Sequence, residues 1–551
     1  MSASSKKKLR KEQNAAQLTE KQLAEQKEAK KLRTNTIAFV AVITAVLCVA
    51  LLTMGVTAFI NSGILERNTD AVTIGNHTLS NAQLSYYYVE TIQKTYSDWS
   101  SDYGDYADLL ISINEKLDVS LPLDEQSHPS EEGKTYADYF IEKAIEEAKI
   151  TYALYDAAKA AGYTLSEEDA ENIDITVENL GFWGQLYGYS GLKDYLKAVY
   201  GNGAQEDTYR EFLEVTTLAS SFESDHLDGL TYEEADLSAY SEAHFNDFSS
   251  FTYNSVVIYA DDFMDHSEDE EHTHTAEEEA ASLKAAEEAA NALAASGAAT
   301  LEDLNAAIAN MDAYKDADKT ANHTDNMLYT KISAKIAEWL AESGRNAGEL
   351  GVIPYTTTTT AEDGTETTNT LGYYVVQFVS RDDNNTKLVN VRHILAEFEG
   401  GTTDENGTKV YSDAEKQAAK DKIDKVYADW KAGDATEDSF KALVADNTDD
   451  DASSSTGGLY EDVYPGQMVK NFNDWCFDEA RQAGDCEIVE TEYGYHLIYF
   501  VSTDDVTYRN YMIENTMRAD DHEAWYNGLV DAVTTAALNT SRLDTDLVLG
   551  G

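Results

Sequence analysis

Two histidines near the C-terminal end, His393 and His496, sit on the two runs of the chain that read most clearly as strands. The first run is Asn390-Val391-Arg392-His393-Ile394-Leu395, and the second extends from Tyr493-Gly494-Tyr495-His496 to Val501. Strand side chains alternate faces, so His393 shares a face with Val391 and Leu395, and His496 with Ile498 and Phe500. If the runs are neighbours in one sheet, the two imidazoles face each other across it. Imidazole titrates near neutrality, so such a pair could move protons. It could equally be a hydrogen-bonded core pair that shapes a site. Between the runs lies Pro465-Gly466-Gln467-Met468-Val469-Lys470-Asn471-Phe472, where Met468 and Phe472 stand at i and i+4 and present one apolar helix side.

The elements that must hold these groups are legible on either side. Ser412 with Glu415 forms a capping box. Ala419, Ile423, Val426 and Trp430 then follow on one helical face, and Gly433 ends the helix. Phe440, Leu443 and Val444 imply a second helix, and Gly457-Gly458 a turn. Strand, helix, helix, turn, helix and strand make a compact α+β unit.

These pieces resemble the parvulin family of peptidyl-prolyl cis-trans isomerases, of the kind found in PrsA- and SurA-type extracytoplasmic foldases. The resemblance rests on Val391-Arg392-His393-Ile394-Leu395, Gly457-Gly458, Gly466-Gln467-Met468 with Phe472, and Gly494-Tyr495-His496, in that order. It implies a proline slot walled by Leu459, Met468 and Phe472, with Gln467 on its rim and Thr491 in the closing loop. It also implies a buried pair of His393 and His496 with Thr448 as hydroxyl partner, and Asp450 beside the twisting amide. Such a reaction makes and breaks no covalent bond and needs no cofactor or metal. The family commonly reads Gly-Gly-Asp-Leu-Gly where this chain has Gly457-Gly458-Leu459-Tyr460. Phosphate-selective relatives carry an arginine cluster after the first strand. Here that loop holds Glu397, Glu399, Asp404 and Glu405, which would repel phosphate.

At 551 residues the chain predicts several domains, and its net charge of −60 repels nucleic-acid backbones. Residues 1–35 form a basic tail with ten Lys/Arg against four Asp/Glu. Residues 36–60 carry no charge and are long enough to span a bilayer, with the cations on the N-terminal side predicting a cytoplasmic N-terminus and an extracytoplasmic body. An uncleaved anchor is expected rather than a signal peptide. Residues 61–248 read as a helical domain that opens on a strand, a turn and a helix starting near Ser80, which resembles the chaperone domain of the same foldases. Its many Tyr and Phe are expected mostly in cores, with some exposed to hold unfolded chain.

Residues 249–384 read as a degenerate copy of the isomerase unit, 385–505. Trp339, Arg345, Ala347 and Gly348 repeat the spacing of Trp475, Arg481, Ala483 and Gly484. The two histidine positions become Ser255 and Tyr374. Within the copy, His266–His274 is an acidic, His-bearing tract, read as a solvated loop or as a divalent-metal ligand set. Thr356–Thr370 reads as a hairpin extension. Cys476 and Cys486 could pair outside the membrane or remain thiols. Residues 506–551 include a helix that, by resemblance, returns to the chaperone domain.

The whole is thus expected to be an α+β multidomain protein, membrane-bound through one N-terminal helix. Its partners would be unfolded or newly translocated polypeptides with X-Pro bonds, taken without phosphate selection. The alternatives are a non-catalytic holdase and an envelope or metal-responsive scaffold built on His266–His274.

Overall fold

The computed structural model describes residues 4–8, 20–264, 274–360, 365–404 and 407–547. Of the His266–His274 tract, residues 266–273 lie outside these. The chain divides into two compact units, one of Met1–Leu230 with Asp521–Gly551 and one of Thr231–Asp520.

The first unit is mainly helical. Helix α1, Glu20–Ile60, contains a nineteen-residue apolar stretch, Val42–Ile60, of mean hydropathy 2.4 and without burial. By length and composition it could cross a membrane. A hairpin of β1 (Asp70–Ile74) and β2 (His77–Ser80) leads into α2 (Asn81–Tyr103), which starts where the Ser80–Gln83 capping box closes. Helices α3 (Tyr136–Ala161), α4 (Glu167–Leu186), α5 (Leu192–Tyr200) and α6 (Glu206–Gly229) follow. The start of α4 is the expected one, with the Ser166 hydroxyl accepting from the Asp169 N–H. Tyr86, Tyr88, Tyr136 and Phe140 are almost wholly buried in the core. The Tyr86 hydroxyl meets Thr208 at 2.8 Å, which satisfies the one polar atom a buried tyrosine brings with it. The C-terminal strand Thr535–Ala537 pairs antiparallel with β1, Val72 opposite Ala537.

The second unit holds two four-stranded antiparallel sheets. The first comprises β3 (Ser250–Tyr259), β4 (Asn322–Leu328), β5 (Leu350–Thr360) and β6 (Glu366–Asp382), in the order β4-β3-β6-β5. Helix α7 (Ala276–Ala294) packs Ala286, Ala290 and Leu293 against its core. Helix α8 (Ala334–Ala341) covers the other face with Ile336, Ala337 and Leu340. The Thr-rich hairpin is there: Thr356 pairs with Thr370 and Thr360 with Glu366.

The second sheet has β7 (Lys387–Glu397), β8 (Leu459–Val463), β9 (Cys486–Glu490) and β10 (Gly494–Thr507), in the order β8-β7-β10-β9. The two sheets therefore share one topology. Helices α9 (Asp413–Ala432) and α10 (Glu437–Asn447) cover one face, packing Ile423, Val426, Trp430, Phe440 and Val444 on Ile394 and Leu497. Helix α11 (Lys470–Cys476) covers the other, packing Phe472 and Trp475 on Val391 and Ile498. Helix α12, Tyr508–Asp531, follows.

The repeat extends to atomic detail. The Arg345 guanidinium lies 3.7 Å over the Trp339 ring, and Arg481 lies 4.0 Å over Trp475. The Gly348 N–H donates to the Phe378 carbonyl at 2.8 Å, and the Gly484 N–H to that of Phe500 at 2.9 Å. Cys476 and Cys486 are free thiols. They lie on opposite faces of the second sheet, one packed with Phe472 and the other beside Tyr499.

Candidate active site

Register places the two histidines. His393 on β7 pairs with Ile498 on β10, and His496 pairs with Leu395, so the imidazoles are diagonal neighbours on one face. Their Nδ1 atoms are 3.2 Å apart and the rings stack at 5.4 Å. Both residues are buried.

The chain of contacts continues at each end. His393 Nε2 lies 2.8 Å from Asp450 Oδ2, and the Thr491 hydroxyl lies 2.9 Å from His496 Nε2. Asp450 Oδ2 also accepts from the Ser453 hydroxyl and, at 2.9 Å, from the Tyr460 hydroxyl. Its Oδ1 accepts the Ala452 N–H at 3.2 Å. Hydrogen bonding from His393 above all holds the Asp450 carboxyl well below the usual carboxylate range. Burial, followed by the neighbouring His393, pushes the His496 imidazole down to about 3, so this ring is neutral at pH 7. The Asp450 carboxylate can only accept from His393, and with His393 Nδ1 as the acceptor towards His496 one polarity follows. The Thr491 hydroxyl donates to His496 Nε2, His496 Nδ1–H donates to His393 Nδ1, and His393 Nε2–H donates to Asp450.

A neutral buried histidine has a pH signature. Unfolded, His496 binds its proton near the ordinary value of 6.5; folded, it does so only near 3. Between these values the unfolded chain holds more protons, so stability falls as pH is lowered through that window. The full loss is on the order of 5 kcal/mol. Urea unfolding of the wild type at stepped pH should show this slope, and His496→Phe should flatten it. An equal slope in the variant would remove His496 as its source.

The wall of the site comes from α11. The buried Phe472 ring stands edge-on to both imidazoles, 5.7 Å from His393 and 5.3 Å from His496. Met468, half-buried, packs on the same cluster. It also lines a cavity of about 670 Å³ with Tyr464, Lys470 and Tyr508 and, from the first sheet, Ser250 and Leu328. Gln467 is exposed, and its Oε1 accepts the Tyr464 N–H at 3.1 Å, so it braces its own turn.

Two assignments change. Leu459 pairs with Arg392, whose side chain leaves β7 on the face of α10, so Leu459 points away from the histidines. Tyr460, opposite Val391, takes the inner place and stacks on His393 at 4.7 Å. Thr448 does not meet the histidines either. Its hydroxyl accepts the N–H groups of Leu395 (3.2 Å) and Asp450 (3.1 Å), which ties the Asp450 loop to β7. The hydroxyls at the imidazoles belong to Thr491 and to Ser453, the latter 3.3 Å from His393 Nε2.

Sequence reasoning missed Ser453, Tyr460 and the work of Arg392. The buried Arg392 guanidinium binds Glu437 at 2.8 Å and the carbonyls of Thr456 and Gly457 at 2.9 and 2.8 Å. It thereby clamps the Gly-Gly turn that delivers Ser453 and Tyr460. Gly458 has φ +74°, and a Cβ there would come within 2.4 Å of the His393 carbonyl oxygen, so no other residue fits.

Comparison with known proteins adds a family. The model of the PPIC-type PPIase domain matches residues 373–503, starting inside β6 rather than at 385. Among curated proteins, none matches. The chain is similar to the peptidylprolyl isomerase PrsA from Bacillus anthracis, at 20% identity over 27% of this chain and 59% of that one, with a TM-score of 0.16. It is similar to PrsA from Bacillus subtilis at 21% identity, over 26% and 47%, with a TM-score of 0.17. A SurA-like chaperone structure from Campylobacter jejuni gives 21% identity, over 28% and 56%, and 0.16. The chain thus spans about half to three fifths of the length of these structures. The family match falls on the strands that carry the imidazole pair and on the helix that walls it, and it identifies residues 373–503 as a parvulin-type peptidyl-prolyl cis-trans isomerase domain.

Proposed function

We propose that the whole chain is a membrane-anchored, extracytoplasmic foldase. In this reading its isomerase domain turns X-Pro bonds of unfolded or newly exported polypeptides while its helical unit holds them. The observation that carries the enzymatic part is the closed hydrogen-bond chain from Thr491 through His496 and His393 to Asp450, set against Phe472. Apolar α1 supports the anchor, and the exposed Tyr106, Leu109 and Ile113 of the helical unit support the holding role. The first sheet, with Ser255 and Tyr374 at the register of the histidines, is read as a substrate-contacting domain without the reaction.

Rotation about the X-Pro bond faces a barrier near ~20 kcal/mol because it breaks amide resonance. Twisting also reduces the charge separation of the amide. A dry apolar wall of Met468 and Phe472 therefore favours the twisted form over the planar one. The neutral His496 imidazole beneath the wall adds no charge that would draw in counter-ions. The Asp450 carboxylate already accepts from His393, Ser453, Tyr460 and the Ala452 N–H, so its part is to fix the ring orientation and the local field rather than to move a proton. The end of β7 and the loop after it carry Glu397, Glu399 and Asp404, and Lys422 is already held by Asp449, which supports phosphate-independent substrates.

Exchange NMR on a panel of X-Pro peptides tests this with residues 385–505 as a folded fragment. Wild type should accelerate exchange, and Met468→Ala should lower the effect ~10-fold, equal to about 1.4 kcal/mol of transition-state binding. A folded fragment without acceleration would leave the non-catalytic holdase as the better reading.

A further inference from the structure

The helical unit carries an unusual stretch. Residues 179–192, Asn-Leu-Gly-Phe-Trp-Gly-Gln-Leu-Tyr-Gly-Tyr-Ser-Gly-Leu, contain no charge in a chain where 26% of residues are charged. They form the end of α4 and the turn into α5. Phe182 (63% exposed), Leu186 (63%) and Tyr187 (67%) face solvent, and Trp183 and Tyr189 are also exposed. Their rings run together, Phe182 to Trp183 at 5.7 Å and Trp183 to Tyr187 at 6.3 Å. Contiguous exposed aromatics of this kind mark a binding surface rather than an incidental one.

What the patch is fastened to decides its partner. Gly184 lets α5 lie directly on α4, since a Cβ there would come within 2.8 Å of Tyr195. At its other end α5 is locked to the end of the apolar helix α1. Lys197 donates to the Asn61 carbonyl at 3.3 Å, and Arg67 donates to the carbonyls of Ser62 and Gly203. A Cβ on Gly63 would fall 2.0 Å from the Asn202 oxygen, so the two segments touch at backbone level. The nine residues of α5 span about 13 Å, so the patch lies within that order of distance of the point where α1 ends. Exposed Lys193 and half-buried Lys197 follow the aromatics, and the carboxylate between them, Asp194, receives the Ser190 hydroxyl.

We propose that the Phe182–Tyr189 surface seats in the headgroup region of the bilayer that α1 crosses, fixing the helical unit against the membrane. Trp and Tyr favour that region because one end of each ring is apolar and the other wet, and lysines there reach lipid phosphates. The proposal rests on the anchor reading of α1.

The full chain, reconstituted in vesicles of phosphatidylcholine and phosphatidylglycerol, tests it with nitroxide-labelled lipid carrying the spin near the headgroup. Comparison with Trp183→Phe isolates the Trp183 emission. That emission should be blue-shifted and strongly quenched by the labelled lipid, and poorly quenched by aqueous iodide. Quenching by iodide and not by lipid, in a chain that alkaline carbonate fails to strip, would overturn the seating while leaving the anchor intact. If an added reduced, unfolded polypeptide then shields Trp183 from iodide, the surface belongs to clients instead. Stripping by carbonate would overturn the anchor, and retained lipid quenching at neutral pH would show the seating to be independent of it.

Discussion

Phe472→Ala is expected to cost the isomerase domain about 3–5 kcal/mol of stability and to abolish measurable isomerisation. The ring is 2% exposed and fills the space between α11 and the sheet, against Val391 and Ile498. Removing it leaves a cavity that the sheet cannot close, because β7 and β10 are pinned by ten paired positions. The same ring covers both imidazoles edge-on, so water entering the cavity reaches the histidines. Loss of folding alone could mimic loss of catalysis, and Phe472→Leu separates the two. Leucine keeps most of the apolar volume, for a cost of about 1.5 kcal/mol, but has no flat edge to present to the rings. Urea unfolding and exchange NMR on the same sample should find this variant folded and well below wild-type rate. Full activity in Phe472→Leu would remove the ring from the site.

Asp450→Asn is expected to reverse the hydrogen-bond chain. Asp450 is the terminal acceptor for His393, Ser453 and Tyr460, and three donors converge on one oxygen. An amide offers one oxygen and two N–H donors, so it cannot replace that carboxylate. With the amide N–H facing it, His393 becomes the acceptor at Nε2 and carries its proton on Nδ1. His496 must then accept at Nδ1, hold its proton on Nε2, and donate to Thr491. Long-range proton–nitrogen correlation spectra read these protonation sites directly. The wild type should show His393 as the Nε2–H form and His496 as the Nδ1–H form, with both exchanged in the variant. Stability should fall by about 1–3 kcal/mol for the donors left unpaired. Identical tautomers in the two proteins would break the assigned polarity.

Much of this site was legible because strand geometry is local and periodic. Alternation alone puts His393 with Val391 and His496 with Ile498, and the register then brings the rings together. Ser412 with Glu415 and Ser166 with Asp169 were readable for the same reason, since each capping box closes within four residues. What escaped depends on contacts far apart in sequence. Leu459 and Tyr460 exchange roles because a slip of one residue turns a strand over, and the register of β8 is set by Arg392 gripping the Gly457 carbonyl. Thr448 and Thr491 are alike as residues. Only the path of their loops decides that one hydroxyl holds backbone and the other holds His496. Within Asp449-Asp450-Asp451 the choice is likewise made by the fold: Asp449 pairs with Lys422 and Asp450 with His393.

The paired Arg345–Trp339 and Arg481–Trp475 contacts, with the matching Gly348 and Gly484 bonds, give the chain a built-in blank. Whatever the two sheets have in common is what this architecture needs in order to fold. Whatever the second has alone, from the imidazole pair to Asp450, has no counterpart that folding demanded. Grafting can exploit this difference. Ser255 and Tyr374 already stand at the register of the histidines, so the first sheet is a scaffold on which the ingredients of the reaction can be restored one at a time.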